Sequence, residues 1–225
     1  MITLRDVAKE YRVGDAPLAA LNGVDLEISE GEFVVVMGPS GSGKSTLLFT
    51  VGGLLTPTKG HVLVRGRDIY GMSRNERAKF IRANIGFIFQ SFELLPYLTA
   101  LENVALSLYL SDIPPSGHHG RAKEALERVG LFGRTFHRPS QLSGGEQQRV
   151  AVARAIVKKP PVLLADEPTG NLDQKTGDEI IQLLLELSHK EGLTTILVTH
   201  DQAKAKMADR RFTMVDGKLS GGESN

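Results

Sequence analysis

The 225 residues balance 27 Lys and Arg against 26 Asp and Glu, for a net charge of +1, so no global basic field points to nucleic acid. Hydrophobic residues make up 41% and charged residues 24%, which fits an ordinary globular chain long enough for one large domain or two lobes sharing a core. The absence of cysteine excludes disulfides and thiolate metal sites and fits a reducing cytoplasm, and no run approaches the roughly 18 apolar residues that span a bilayer.

The N-terminal MITLRDVAKEY alternates apolar and polar residues like a strand and carries no signal-peptide core. FVVVM, 33–37, is a short β-branched run that predicts a buried strand of a mostly parallel sheet. GPSGSGKST follows directly: Gly38, Pro39, Ser40, Gly41, Ser42, Gly43, Lys44, Ser45 and Thr46. The segment satisfies G-x-x-x-x-G-K-[ST]. The glycines let backbone N–H groups turn inward around phosphate oxygens, Lys44 reaches the β- and γ-phosphates, and the Ser45 hydroxyl binds Mg²⁺. STLLFTVGGLL then predicts a helix whose N-terminus favours an anion. A serine–glycine linker would not sit between a buried strand and an apolar helix.

IGFIFQ, 85–90, is an apolar run ending in Gln90, whose amide oxygen suits Mg²⁺ and whose nitrogen can orient water. SDIPPSGHHG, 111–120, reads as a loop. Its His118 and His119 read as a solvated pair, since no other ligand stands at metal-binding spacing.

QLSGGEQQRVAVARAI, 141–156, predicts a helix from about Gly144, with Ser143 and Glu146 as a capping box. Two glycines open it, at a cost of roughly 1 kcal/mol each relative to alanine. Two readings are open: an ordinary capped helix after a tight turn, or bare amides at Gly144 and Gly145 that, with the Ser143 hydroxyl, take a second phosphate. PVLLADEP, 161–168, places Asp166 and Glu167 at the carboxyl end of a strand, the edge where open α/β sheets bind ligands. Asp166 would hold Mg²⁺ through water, and Glu167 would act as general base. TTILVTHD, 194–201, brings His200 to the same kind of edge, where it would meet a γ-phosphate. The tail GGESN reads as loose. Two phosphate cradles with one phosphate-loop motif suggest twofold pairing of copies, although spacing alone leaves open that both cradles act within one chain.

Together these stretches closely resemble the ATP-binding subunit of ABC transporters over essentially the whole chain. GPSGSGKST matches the family's Walker A, LSGGEQQRVAVARA its signature, VLLADEP its Walker B with Glu167 as the catalytic glutamate, and NLD, 171–173, its D-loop with Asp173. Gln90 matches the Q-loop and His200 the switch histidine. Tyr11 stands where the family places an aromatic ring that stacks on adenine. FIFQSFELLPYLTALENV and ADEPTGNLD resemble the subfamily of lipoprotein-release, macrolide-export and cell-division ATPases.

The resemblance implies an α/β P-loop NTPase: a RecA-like core, an N-terminal antiparallel β subdomain, and an inserted α-helical subdomain. It implies one domain over 1–225, with core and β subdomain at about 1–90 and 159–225 and the helical lobe at about 91–158. It further implies a head-to-tail dimer of two copies around two ATP and Mg²⁺. Each Walker A would then face the partner copy's Ser143, Gly144, Gly145 and Glu146. An integral membrane permease would be driven from the cytoplasmic face of the inner membrane. In the family, the region of Phe92, Leu94, Leu95 and Tyr97 abuts the groove for that permease. A soluble factor in translation or repair fits less well, since such relatives carry tandem copies, zinc modules or coiled-coil insertions. A regulator signalling to cell-wall enzymes through a membrane protein is the other reading.

Overall fold

The computed structural model describes residues 1–14, 16–109, 111 and 113–224, without the side chains of Val13, Glu223 and Ser224. In chain order the elements are β1 (Ile2–Val13), β2 (Ala16–Ile28), β3 (Phe33–Met37), α1 (Lys44–Val51), β4 (Lys59–Val64), β5 (Arg67–Asp68) and α2 (Arg74–Asn84). There follow β6 (Ile85–Ile88), α3 (Ala100–Tyr109), α4 (His118–Arg128), α5 (Gly144–Ile156), β7 (Val162–Asp166), α6 (Gln174–Glu191), β8 (Thr194–Thr199), α7 (Gln202–Ala205), β9 (Arg210–Val215) and β10 (Lys218–Ser224). They group into two compact units, Met1–Ile81 with the stretch from Ser188 onward, and Arg82–Leu187.

The first unit holds two sheets. The antiparallel one runs β2-β1-β4-β5 and buries Ile2, Leu4, Val7, Leu26 and Val64. In the other, β3 lies parallel between β8 and β9, and β10 closes on β9 antiparallel. β3 and β8 are almost wholly buried, which is why FVVVM and TTILVT read as continuous apolar runs instead of alternating ones. The register sets Met37 beside Thr199, so the loops after both strands leave from adjacent carboxyl ends.

The second unit pairs β6 with β7 in parallel, Ile88 opposite Ala165, and holds α3, α4, α5 and α6 as far as Leu187. α5 is apolar on most of its circumference, with Val150, Ala151, Val152, Ala153 and Ile156 buried. The mixed architecture, antiparallel sheet toward the N-terminus and parallel strands carrying the site loops, is the predicted fold class.

Two local expectations are corrected. The stretch 111–120 is not simply a loop: a 3₁₀ turn over Pro115–Gly117 leads straight into α4. His118 is 2% exposed, its Nε2 lies 2.8 Å from the Ile113 carbonyl, and its ring meets Tyr109 edge-on, so only His119 of the pair is solvated. Asp112 lies outside the described residues. The tail is not loose through Ser224, because β10 finds ladder partners on β9; Asn225 lies outside the described residues.

Candidate functional site

The first unit gathers Tyr11, Gly38–Thr46 and His200. Gly43 caps α1 with φ 104°, a left-handed conformation, and a Cβ there would stand 2.2 Å from the Ala20 carbonyl oxygen. Glycine is therefore required twice over, by backbone conformation and by the closeness of β2. Lys44 Nζ donates to the carbonyls of Gly38 and Pro39, 2.9 Å each, which folds the side chain back over the loop. α1 has no side-chain cap and no acidic residue in its first turn, so its positive end is uncompensated by those devices. Ser42 Oγ is buried with no hydrogen-bond partner. An uncapped helix start and an orphaned buried hydroxyl in one loop fit a phosphate chain, whose oxygens accept from both.

His200 is exposed just past Thr199, and Gly38 just past Met37, so the parallel register brings the two to neighbouring strand ends. Tyr11 pairs with Leu18 across the β1–β2 hairpin, two residues along β2 from the Ala20 carbonyl that abuts Gly43. Tyr11 is 39% exposed and lines a cavity of about 620 Å³ with Glu10, Arg12, Gly14, Pro17 and Thr58.

The second unit gathers Gln90, Asp166, Glu167, Asp173 and the Ser143–Glu146 turn. Gln90 and Glu167 each follow by two residues the paired Ile88 and Ala165, so β6 and β7 deliver them to adjacent ends. Asp166 ends β7, half-buried. Glu167 has φ 42°, a left-handed value rare outside glycine, and its carbonyl accepts from Gly170 N at 3.0 Å. Strain of this kind is common where a side chain must be aimed. The Gln90 amide packs on Gly170, where a Cβ would lie 2.6 Å from Nε2, and Asn171 Nδ2 donates to the Gln90 carbonyl at 3.1 Å. Asp173 opens α6 by accepting from Thr176 N at 3.1 Å; the Thr176 hydroxyl, then this amide, hold its carboxyl below the usual range.

The α5 capping box is formed. Ser143 Oγ accepts from Glu146 N at 3.2 Å, Glu146 Oε2 accepts from Ser143 N at 2.8 Å, and Arg134 Nε donates to Glu146 Oε1 at 2.9 Å. Gly145 is buried, and a Cβ on it would lie 2.5 Å from Thr176 Cγ2, so its own chain already demands glycine there. Sequence reasoning missed this partner, and no local signal marks it.

It also missed two residues that hold the segment after Gln90. Arg154 donates to the Phe92 carbonyl at 2.8 Å and to that of Glu93. Asn103, fully buried, accepts from Leu95 N at 2.8 Å and donates to the carbonyls of Leu95, Leu98 and Thr99. The segment so held keeps Phe92 and Leu94 half-buried but leaves Leu95 exposed and Tyr97 85% exposed.

A glycine-rich loop between a buried strand and a helix in the first unit, and acid and amide side chains at parallel strand ends in the second, are the elements of a P-loop nucleotide hydrolase. The family model for ABC transporters matches residues 21–170. The chain is 50% identical over 224 residues to an ABC transporter ATP-binding protein of Thermotoga maritima, covering 98% of this chain and 94% of that one. It is 48% identical to the lipoprotein-releasing system ATP-binding protein LolD of Nitratidesulfovibrio vulgaris, over 96% and 93% of the two chains. Among solved structures, a dimeric post-hydrolysis state of the ATP-binding cassette MJ0796 of Methanocaldococcus jannaschii, bound to ADP and Pi, superposes with a TM-score of 0.91 at 44% identity, covering 100% and 98%. The chain belongs to the ABC transporter ATP-binding family, with the RecA-like cassette fold, and is an ABC-type ATPase.

Proposed function

We propose that this chain works as a pair of identical copies closing head-to-tail around two ATP molecules, each held between Gly38–Thr46 of one copy and Ser143–Glu146 of the other. One observation carries this reading. Over its full length the chain resembles a cassette described as dimeric with ADP and Pi bound, at 44% identity and a TM-score of 0.91. Tyr11 stacks on adenine, Lys44 and the loop amides take the phosphates, and Glu167 accepts a proton from the attacking water. His200 and Gln90 orient the γ-phosphate and that water, and Asp173 lies at the copy-to-copy seam. On the family's division into a core at about 1–90 and 159–225 and a helical lobe at about 91–158, Gln90, Asp166, Glu167 and Asp173 join the core, whereas the two compact units group them with Ser143–Glu146.

Ser45, Gln90 and Asp166 offer a hydroxyl, an amide oxygen and a carboxylate, hard donors of the kind Mg²⁺ takes alongside substrate phosphates. Among the described residues no cluster of three or more His, Asp or Glu could hold a metal ion. When bound, Mg²⁺ would neutralise charge on the phosphates.

No helix among the described residues is long and apolar enough to cross a membrane, and on this reading the transport path belongs to a membrane permease. In the segment after Gln90, Leu95 and Tyr97 are the exposed apolar side chains it would grip. The likeness to LolD favours lipoprotein release or a related export or mechanotransmission role from the cytoplasmic face of the inner membrane.

Glu167→Gln tests the clamp. It should lower hydrolysis by about 10²–10⁴-fold, the usual contribution of a general base. It should also accumulate as a dimer with MgATP in light scattering. A variant that stays monomeric at high protein and nucleotide concentration overturns the reading.

A further inference from the structure

If Tyr11 is the adenine platform, the side of its ring facing away from the base needs an account. Lys9 supplies one. Its Nζ stands 5.3 Å from the Tyr11 ring centroid, within cation–π range, and donates to the Thr56 carbonyl at 2.8 Å. The strand register shifts on both sides of Lys9, between Val7 and Lys9 and between Lys9 and Glu10. Bulges of this kind re-aim a side chain. Neighbouring bonds fix the same stretch of β1 to the loop before β4: Thr58 N donates to the Ala8 carbonyl, and Glu10 N to Thr58 Oγ1. The ammonium is thus tied to a backbone carbonyl while it covers one face of the ring. The cavity that Tyr11 lines is bordered by Glu10, Arg12, Gly14, Pro17 and Thr58 and leaves Lys9 out.

We propose that Lys9 is a positioning residue for nucleotide binding: it holds the Tyr11 ring by one face and leaves the other for the purine. This rests on the stacking role of Tyr11. Two physical effects combine. The ring is ordered before the nucleotide arrives, so less freedom is lost on binding. The cation also draws π-density to its own side, which leaves the open face less electron-rich and better matched to a purine than to a second cation.

The test separates the base from the phosphates. The full chain and its variants are titrated, with Mg²⁺, against a non-hydrolysable ATP analogue and against inorganic tripolyphosphate, which has no base. Lys9→Met should raise the Kd of the analogue roughly two- to fivefold, the range of an exposed cation–ring contact, and leave that of tripolyphosphate unchanged. Lys9→Arg should keep both affinities. Tyr11→Ala should weaken the analogue further, and adding Lys9→Met to it should change nothing more. The inference is overturned if Lys9→Met leaves the analogue Kd unchanged while Tyr11→Ala raises it, or if Lys9→Met weakens both ligands equally. If Tyr11→Ala leaves the ratio of the two affinities unchanged, the stacking role of Tyr11 itself fails and the inference falls with it.

Discussion

Helices α1 and α5 both carry glycine at their starts, and they treat their first-turn amides differently. α1 starts from Gly43 with no side-chain cap and no first-turn acid, whereas α5 starts from Ser143 with a complete capping box and a further ion pair to Arg134. The reason for glycine differs too. At Gly43 the obstacle is backbone, the Ala20 carbonyl, and φ is left-handed; at Gly145 it is one methyl group, Thr176 Cγ2. A glycine-rich helix start is therefore not by itself an anion site. What distinguishes the two is the state of the caps: the α5 box takes the amide of Glu146 and leaves those of Gly144 and Gly145 outside it.

Gly43→Ala should break the α1 side of this comparison with the largest effect. Left-handed strain and a carbonyl contact that cannot rotate away each cost about 1–3 kcal/mol in the loop's native shape; the free chain escapes them by shifting the loop, and binding must restore it, so nucleotide affinity should fall by at least about thirtyfold. Calorimetric titration with an ATP analogue checks it, and an affinity near that of the unmodified chain would mean that free and bound loops carry the strain alike.

Gly145→Ala tests the other side. Overpacking against Thr176 should lower unfolding stability by about 1–3 kcal/mol in denaturant titration. Thr176→Ser removes only the methyl and keeps the hydroxyl that Asp173 uses, so the double variant should recover most of that stability. Dimerisation with MgATP then sharpens the comparison. If it returns with stability, the glycine serves packing alone; if it stays lost in the restored double variant, the closeness of the bare backbone to the partner's nucleotide is what glycine provides.

The same contrast explains what was legible in the sequence. β3, the Gly38–Thr46 loop, β7 with Asp166 and Glu167, and the Ser143–Glu146 box were readable because each is encoded within about ten consecutive residues by apolar runs and turn chemistry. The strand-end convergence of Gly38 with His200, and of Gln90 with Glu167, followed from parallel pairing, which the buried β-branched runs already implied. What was not readable depends on distant partners. Thr176 against Gly145, Arg154 on the carbonyls of Phe92 and Glu93, and the burial of His118 against Tyr109 leave no periodic or motif signal. β10 was missed because Gly221 and Gly222 look like tail, while their strand is set by pairing with β9.

The smallest expected effect concerns the charge in the α5 box. The Ser143 amide first, then Arg134 and the Ser143 side chain, hold the Glu146 carboxyl below its ordinary value of 4.5, against partial burial acting the other way. A depressed carboxylate contributes stability that is fully present above the unfolded value and is lost as pH falls through the folded one. Glu146→Gln keeps a residue that can still close the box, so the loss at neutral pH should stay below about 1 kcal/mol. Glu76 and Glu102 close similar boxes at α2 and α3 and are also held low, Glu76 first by the Ser73 side chain and Glu102 first by the Thr99 amide. The acid limb of the whole chain therefore mixes several titrations, and only the difference between parent and variant isolates Glu146. That difference in melting temperature should be largest above pH 4.5 and close on further acidification. A difference that stays constant into acid would mean that Glu146 acts through packing and leaves the α5 amides electrostatically as bare as those of α1.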